Sequence, residues 1–179
     1  DMGLGPEVAG ISKVCIRPEE WFRTKTRTGG TKQLNISRII SLQPDLILAN
    51  KEENTRADIE LLAKDFPVWL TEVRNISAAM DIITDIGRIT GKSEKAHELA
   101  ATISTKLAEM PASDDPVPTA YLIWKDPYMT VGGDTYIHDM LRLAGCRNVF
   151  AGRTRYPAVT IEDLADSGCR LILLSSEPF

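Results

Sequence analysis

The stretches RPEEWFRTKTRTGGTK, residues 17–32, and GRTRYP, residues 152–157, concentrate cations and aromatics in short spans. In the first, Arg17, Arg23, Lys25, Arg27 and Lys32 surround Trp21 and Phe22; in the second, Arg153 and Arg155 precede Tyr156. Guanidinium forks pair with carboxylate or phosphate and aromatic faces stack, so these loops suit a large, flat, partly anionic ligand. A solvated basic loop with core aromatics is the other reading of the same residues. A third stretch, WKDPYMTVGGDT (124–135), sets Trp124 and Tyr128 around a proline and runs through Gly132-Gly133 into a helix N-terminus, where free N–H groups suit an anion. Of its two aromatics, Tyr128 is the better candidate for ligand contact, and Trp124 is expected to finish a strand in the core.

Catalytic motifs are missing from the sequence. GLGPEVAG has the wrong spacing for a dinucleotide or Walker loop and precedes a strand, and no G-x-S-x-G elbow occurs. His97 and His138 each lack a second ligand at i+4, so a histidine metal site has no support. His97 reads as solvated, and His138 as a helix-face residue or one near a ligand. Cys15, Cys146 and Cys169 have no metal-site spacing and read as buried free thiols, a single disulfide being the alternative. No cofactor is implied.

The elements that must hold these loops alternate along the chain. EVAGIS (7–12) reads as strand, 35–42 as helix, DLILAN (45–50) as strand, 55–65 as helix and PVWLTEV (67–73) as strand. Near-continuous apolar runs between helices predict parallel sheets covered on both faces. Helical spacing runs from Ser77 to Thr90 and stops at Gly91. A second helix is predicted from Ser93, as N-cap, to Met110, with Pro111 as its stop. PASDDPVP (111–118) reads as a linker. Beyond it come TAYLIW (119–124) as strand, DTYIHDMLRLAG (134–145) as helix with Asp134 as N-cap and Gly145 as terminator, and RNVFA (147–151) as strand.

The stretch NISRIISLQPDLILANKEEN, from Asn35, aligns without a gap on TIEDLADSGCRLILLSSEPF, from Thr160. Ile36 falls on Ile161, Ile39 on Leu164, and Glu52 on Glu177. A structural duplication is the reading favoured, although helix-then-buried-strand is common in α/β proteins. The expected fold is α/β: two Rossmann-like lobes with parallel sheets joined by a single long backbone helix, with a ligand cleft between the lobes. Residues 1–76 form the first lobe, 77–110 the connecting helices and 111–179 the second lobe. A helix-stop pattern at Gly3 and Gly5, and an ending just after a strand, suggest that elements are lacking at both ends.

With 179 residues and a formal charge of −4, the chain has no general attraction for nucleic acid. No apolar run approaches the roughly 20 residues that span a bilayer.

LNISRIISLQPDLILAN, ISAAMDIITDIGRITGKSEKAHELA and YMTVGGDTYIHDMLRLAGCRNVFAGRTRYPAVTIEDLADSGCRLILL, in this order, resemble the helical-backbone periplasmic binding proteins. These are the solute receptors of ABC importers for cobalamin, ferric siderophores and haem. The resemblance covers nearly the whole chain and is strongest toward the cobalamin and ferric-siderophore receptors. It implies a non-enzymatic receptor, periplasmic or otherwise extracytoplasmic and with or without a lipid anchor, that serves an ABC permease and its ATPase. An enzyme of transferase type built on two Rossmann-like lobes, or a haem-binding sensor without transport, is the alternative. Ligand contacts are expected at Arg17, Trp21, Arg27, Tyr128, Arg153, Arg155 and Tyr156. The family's cobalamin receptors have an aromatic-Pro pair that carries onto Tyr156 and Pro157. Arg17 stands where an aromatic or His is frequent, which favours a more anionic ligand. The family docks on its permease through exposed acids, for which Glu52, Glu53, Asp58 and Glu177 are the candidates, Glu52 and Glu177 as a matched pair.

Overall fold

The computed structural model describes residues 2–111 and 113–176. The chain divides into two compact units, one ending at Glu72 and the other beginning at Val73.

In the first unit Gly10–Ile11 (β1) is followed by Glu19–Thr24 (α1) and Thr26–Arg27 (β2), with β1 and β2 parallel. The presumed loop at 17–32 is thus largely structured. Pro18 immediately precedes the helix and Glu19 and Glu20 occupy its first turn, where carboxylates complement the helix dipole; Arg23 pairs with Glu19 one turn on. Gly29–Gly30 (β3) and Gln33–Leu34 (β4) form an antiparallel hairpin, so the two glycines are strand and Thr31-Lys32 make the turn. A side chain at Gly29, whose φ is +103°, would meet the Gln33 carbonyl oxygen at 2.5 Å, and only glycine allows that approach. Ile36–Leu42 (α2) begins under Asn35, whose side chain accepts the Arg38 N–H at 3.0 Å. Ile47–Asn50 (β5), Arg56–Leu62 (α3) and Val68–Thr71 (β6) follow, with β5 and β6 parallel from Ile47 opposite Val68 to Asn50 opposite Thr71. Leu48 and Leu70 fall on opposite faces of this pair and are both exposed. At these two positions the faces are only partly covered, although Ala49, opposite Leu70, is buried.

The second unit opens with Ile76–Ile89 (α4) and Ser93–Ala108 (α5), which pack together. Ser93 is not the N-cap. The connection between the helices is so short that α5 has already begun at Ser93, leaving Lys92 in the cap position with no side-chain cap. At the contact, a side chain on buried Gly87 would overlap Ala96, which is fully buried. Val117–Leu122 (β7), Tyr136–Leu143 (α6), Cys146–Asn148 (β8), Ile161–Asp166 (α7) and Leu171–Leu174 (β9) complete the unit. Its sheet is parallel throughout, in the order β8-β7-β9. β7 starts at Val117, inside the presumed linker, because Val117 and Pro118 pair with Cys146 and Arg147. β8 stops at Asn148, and Phe150, expected in that strand, instead joins Ala120, Leu122, Val159 and Leu164 in the core. Gly145 terminates α6 with φ +74°, as its position predicts. All three cysteines are free and half-buried.

The sequence repeat is also a structural one. α2 and α7 start at corresponding residues, Ile36 and Ile161, each after a side-chain cap, and Ile39 and Leu164 are equally buried. The strands slip by one residue, β9 starting at Leu171 where β5 starts at Ile47.

Candidate functional site

Beyond the carboxyl end of β7, where open α/β sheets bind ligands, three segments are joined by backbone hydrogen bonds. The Ile123 N–H donates to Met129 O (2.9 Å) and the Met129 N–H to Trp124 O (3.0 Å). Val159 N–H donates to Tyr128 O (2.8 Å), Thr130 N–H to Pro157 O (3.0 Å), Gly132 N–H to Arg155 O (2.7 Å) and Gly133 N–H to Arg153 O (2.9 Å). The loop carrying Trp124 and Tyr128 and the loop carrying Arg153, Arg155 and Tyr156 are therefore one antiparallel ribbon.

Gly132 and Gly133 make this pairing possible, since a side chain on either would overlap the backbone of Arg153 or Ala151. Their N–H groups are both spent on the carbonyls of that facing loop. Asp134 is not the helix cap either. Thr135 caps α6 by accepting the His138 N–H at 3.2 Å, while the Asp134 carboxylate accepts the Arg155 N–H at 2.6 Å. One of two adjacent cap-competent residues is thus diverted to hold the facing loop.

Below the ribbon lies a layer of buried polar side chains. Thr130 Oγ1 donates to Tyr121 O (2.9 Å), Thr135 Oγ1 to Gly132 O (2.9 Å) and Asn148 Nδ2 to Val131 O (2.9 Å), while Asn148 Oδ1 accepts the Phe150 N–H (2.9 Å). Thr130, Thr135 and Asn148 are each at most 4% exposed, and their hydrogen bonds offset the cost of burial. Sequence reading missed all three as supports. The one available signal was Thr130 and Thr135 flanking a glycine pair. His138 Nδ1 lies 3.4 Å from Asn148 Nδ2, which places that histidine at the edge of the layer.

Arg153 braces the ribbon. Its guanidinium bonds Asp163 Oδ1 (2.9 Å) and Ala158 O (3.2 Å) and lies 5.2 Å over the Phe150 ring. Asp163 also closes the capping box of α7 by accepting the Thr160 N–H at 2.9 Å. That N–H and then Arg153 hold its carboxyl below the usual aspartate range. Arg155, with φ +56°, stacks at 5.5 Å on half-buried Tyr156. The two aromatics of the other loop exchange their expected places. Tyr128 packs against the core cluster, whereas Trp124 is 52% exposed, because strand alternation turns Tyr128 inward.

In the first unit the basic residues are mostly engaged at home. Arg27 lies 4.0 Å over Phe22 and bonds Phe22 O at 2.5 Å; Lys25 Nζ bonds Gly5 O at 2.6 Å; Lys32 bonds Glu52 O. Half-buried Trp21 lies beside Gly5. Arg17 is exposed. Among the acids, Glu53 is exposed, Asp58 is half-buried in the first turn of α3, and Glu52 is half-buried with its Oε1 out of solvent. Glu177 lies outside the described residues.

Among the described residues no His, Cys, Asp or Glu cluster could hold a metal ion, and no helix is long and apolar enough to cross a membrane.

The vitamin B12-binding protein of Vibrio campbellii (strain ATCC BAA-1116) is 25% identical over 167 residues, which cover 90% of this chain and 60% of that protein. The uncharacterized ABC transporter substrate-binding lipoprotein YvrC of Bacillus subtilis (strain 168) is 27% identical over 172 residues, covering 90% of this chain and 54% of that one. The crystal structure of the periplasmic vitamin B12 binding protein BtuF of Vibrio cholerae shares the fold, with a TM-score of 0.85 at 23% identity over 98% of this chain and 70% of that chain. This chain therefore spans about 60% of the length of the first of these relatives. Residues 1–177 match the family model described as periplasmic binding protein, and on that match across both units the chain belongs to the periplasmic binding protein family.

Proposed function

We propose that the chain is the ligand-capturing part of a solute receptor for an ABC importer. It binds a cobalamin or a ferric siderophore outside the cytoplasm and delivers it to a membrane permease and its ATPase. The observation that carries this reading is the ribbon at the carboxyl end of β7, which fixes Arg155 and Tyr156 on a braced backbone where open α/β sheets bind ligands. Family membership and the functions named for the relatives support it. A receptor of this kind makes and breaks no covalent bond, so it needs rigidity, shape and charge instead of a nucleophile or a general base.

Arg155, Tyr156 and exposed Arg17 are the residues this reading gives to the ligand, with Trp21 and Arg27 as further candidates; Arg153 and Tyr128 act by holding the ribbon. For the permease it gives Glu53 first, because that acid is exposed where Glu52 is turned in; Asp58 and Glu177 are the remaining candidates. Absorbance titration with cyanocobalamin, a ferric hydroxamate, a ferric catecholate and hemin tests the ligand class. Micromolar or tighter binding of at least one is expected, and binding of none sinks the reading. Arg155→Ala should weaken an anionic chelate more than neutral cyanocobalamin, and equal affinities would remove Arg155 from the site.

A further inference from the structure

We infer that Asn54 is a positioning residue of the receptor: it fixes the tip of the β3–β4 hairpin, and with it the first unit's basic segment, in the shape that captures the ligand. The inference rests on the receptor reading above and adds to it a residue that acts through the hairpin and not by ligand contact.

The hairpin has little of its own to hold it. Its strands are two residues long and one of them is Gly29-Gly30, and a short two-stranded ribbon with glycine in a strand is marginal in water. Backbone ties its base to the rest of the unit, the Asn35 N–H donating to Thr28 O (2.7 Å) and the Lys13 N–H to Gly29 O (2.8 Å). Side chains tie its tip, Thr31-Lys32. Asn54 Nδ2 donates to Thr31 O at 3.2 Å across 23 residues of chain, and Lys32 Nζ donates to Glu52 O. Both tethers end in the loop that follows β5.

That loop is itself rooted in the sheet. Asn50, the last residue of β5, accepts on Oδ1 the N–H groups of Glu52 (2.9 Å) and Glu53 (3.3 Å). Its carbonyl accepts the Asn54 N–H (2.9 Å), and its own N–H donates to Asn54 Oδ1 (2.8 Å). On the neighbouring strand, Thr71 O accepts the Lys51 N–H (2.9 Å) and Thr71 Oγ1 donates to Ala49 O (2.9 Å). The half-buried Asn54 amide therefore uses both its ends, the oxygen to complete the loop and the nitrogen to hold the hairpin. Aspartate would keep the first bond, lose the second and set a negative charge against the Thr31 carbonyl oxygen.

Position gives the hairpin its bearing on the ligand. It starts two residues after Arg27, whose carbonyl accepts Arg38 Nη1 at 3.1 Å, and Gly29, Gly30 and Gln33 wall a shallow hollow of about 730 Å³ with Lys13, Ser37 and Ile40. A surface already in place when the ligand arrives saves the cost of ordering it on binding. With the tip released, the competent shape is populated only part of the time, and apparent affinity falls by that fraction.

Wild type, Asn54→Asp and Asn54→Ala are compared by amide hydrogen exchange, and by equilibrium titration and stopped-flow binding of cyanocobalamin, hemin and a ferric trihydroxamate. In Asn54→Asp, exchange at residues 29–34 should accelerate at least about tenfold while β5, β6 and α3 keep wild-type rates; Asn54→Ala should loosen residues 50–54 as well. The probe that binds wild type should bind Asn54→Asp roughly tenfold more weakly, through slower association with dissociation unchanged, and saturating probe should restore slow exchange in the hairpin. Unchanged hairpin exchange, or faster exchange with unchanged affinity, overturns this inference and leaves the receptor reading standing. Faster exchange in β5 and α3 of Asn54→Asp overturns it too, because the weaker binding would then come from a failure of the loop's own fold. Binding of no probe by wild type sinks the receptor reading, and this inference with it.

Discussion

Asn35 and Thr160 each cap a helix that begins at the next residue, and Ile39 and Leu164, equally far into those helices, are both 7% exposed. Ahead of the caps the two copies part company. In the first unit the preceding segment folds on itself, Gly29 opposite Leu34 and Gly30 opposite Gln33. In the second, residues 153–159 pair with the loop that follows β7, and Arg153 ties that pairing to the helix through Asp163. The first arrangement is a local hairpin whose basic neighbours Lys25, Arg27 and Lys32 bond backbone carbonyls of their own unit. The second brings two distant loops into one ribbon that carries exposed Trp124 and Arg155. A repeated helix and strand thus give each copy its core anchor, and the partner chosen by the segment in front gives it a different surface.

Truncating the shared anchor should affect both copies most. Ile39→Ala and Leu164→Ala are each expected to lose about 3 kcal/mol in urea unfolding, and a cost confined to one copy would show that the anchors are not equivalent. The glycines should then separate the copies. A side chain on Gly133 would be forced against the backbone of Ala151, whereas one on Gly30 meets Lys13 Cε at 3.0 Å, the end of a flexible side chain that can move. Gly133→Ala should cost about 2 kcal/mol and Gly30→Ala less than about 0.5 kcal/mol. Equal losses would mean that the ribbon is no tighter than the hairpin.

The caps come next. Asn35→Ala and Thr160→Ala should each cost about 1 kcal/mol, but their pH behaviour differs. Asp163, which completes the cap at Thr160, has its carboxyl held below the usual range by the Thr160 N–H and then by Arg153. A carboxyl depressed in the folded state contributes its stability above the unfolded pKa and loses it as pH falls through the folded one. The melting-temperature advantage of wild type over Asp163→Asn should therefore be present at neutral pH and vanish on acidification below the ordinary aspartate range. Asn35 carries no titrating group, so the difference between wild type and Asn35→Ala should stay level over the same range. A level difference at Asp163 too would remove the Arg153 brace from the account of the ribbon.

Long, patterned segments are legible in the sequence: apolar spacing marks α4 and α5, and the first copy of the helix–strand unit marks the second. Elements with few residues are not. Composition reads α1 and the β3–β4 hairpin together as a basic loop, although Pro18 followed by Glu19 and Glu20 is a helix-start signal. Ser93 and Asp134 were plausible caps, and Lys92 and Thr135 hold those positions instead. A cap is chosen by where the chain turns and by what else wants the side chain, and Arg155 N–H claims Asp134 from another loop. Residue type likewise could not separate the roles of the arginines: Arg153 and Arg155 are two apart, yet one braces the ribbon and the other stacks on Tyr156.

By itself the sequence determined the α/β class, the parallel strands, the two copies of the anchor and the class of side chains in the loops. These follow from periodicity and composition, which act within a few residues of the chain. Only the tertiary structure decided which loop pairs with which, that Gly132 and Gly133 serve close backbone approach, and that Trp124 faces outward while Tyr128 faces in. Such outcomes depend on hydrogen-bond partners brought together from Arg153–Val159 and Ile123–Gly133, and no local pattern in either segment names the other.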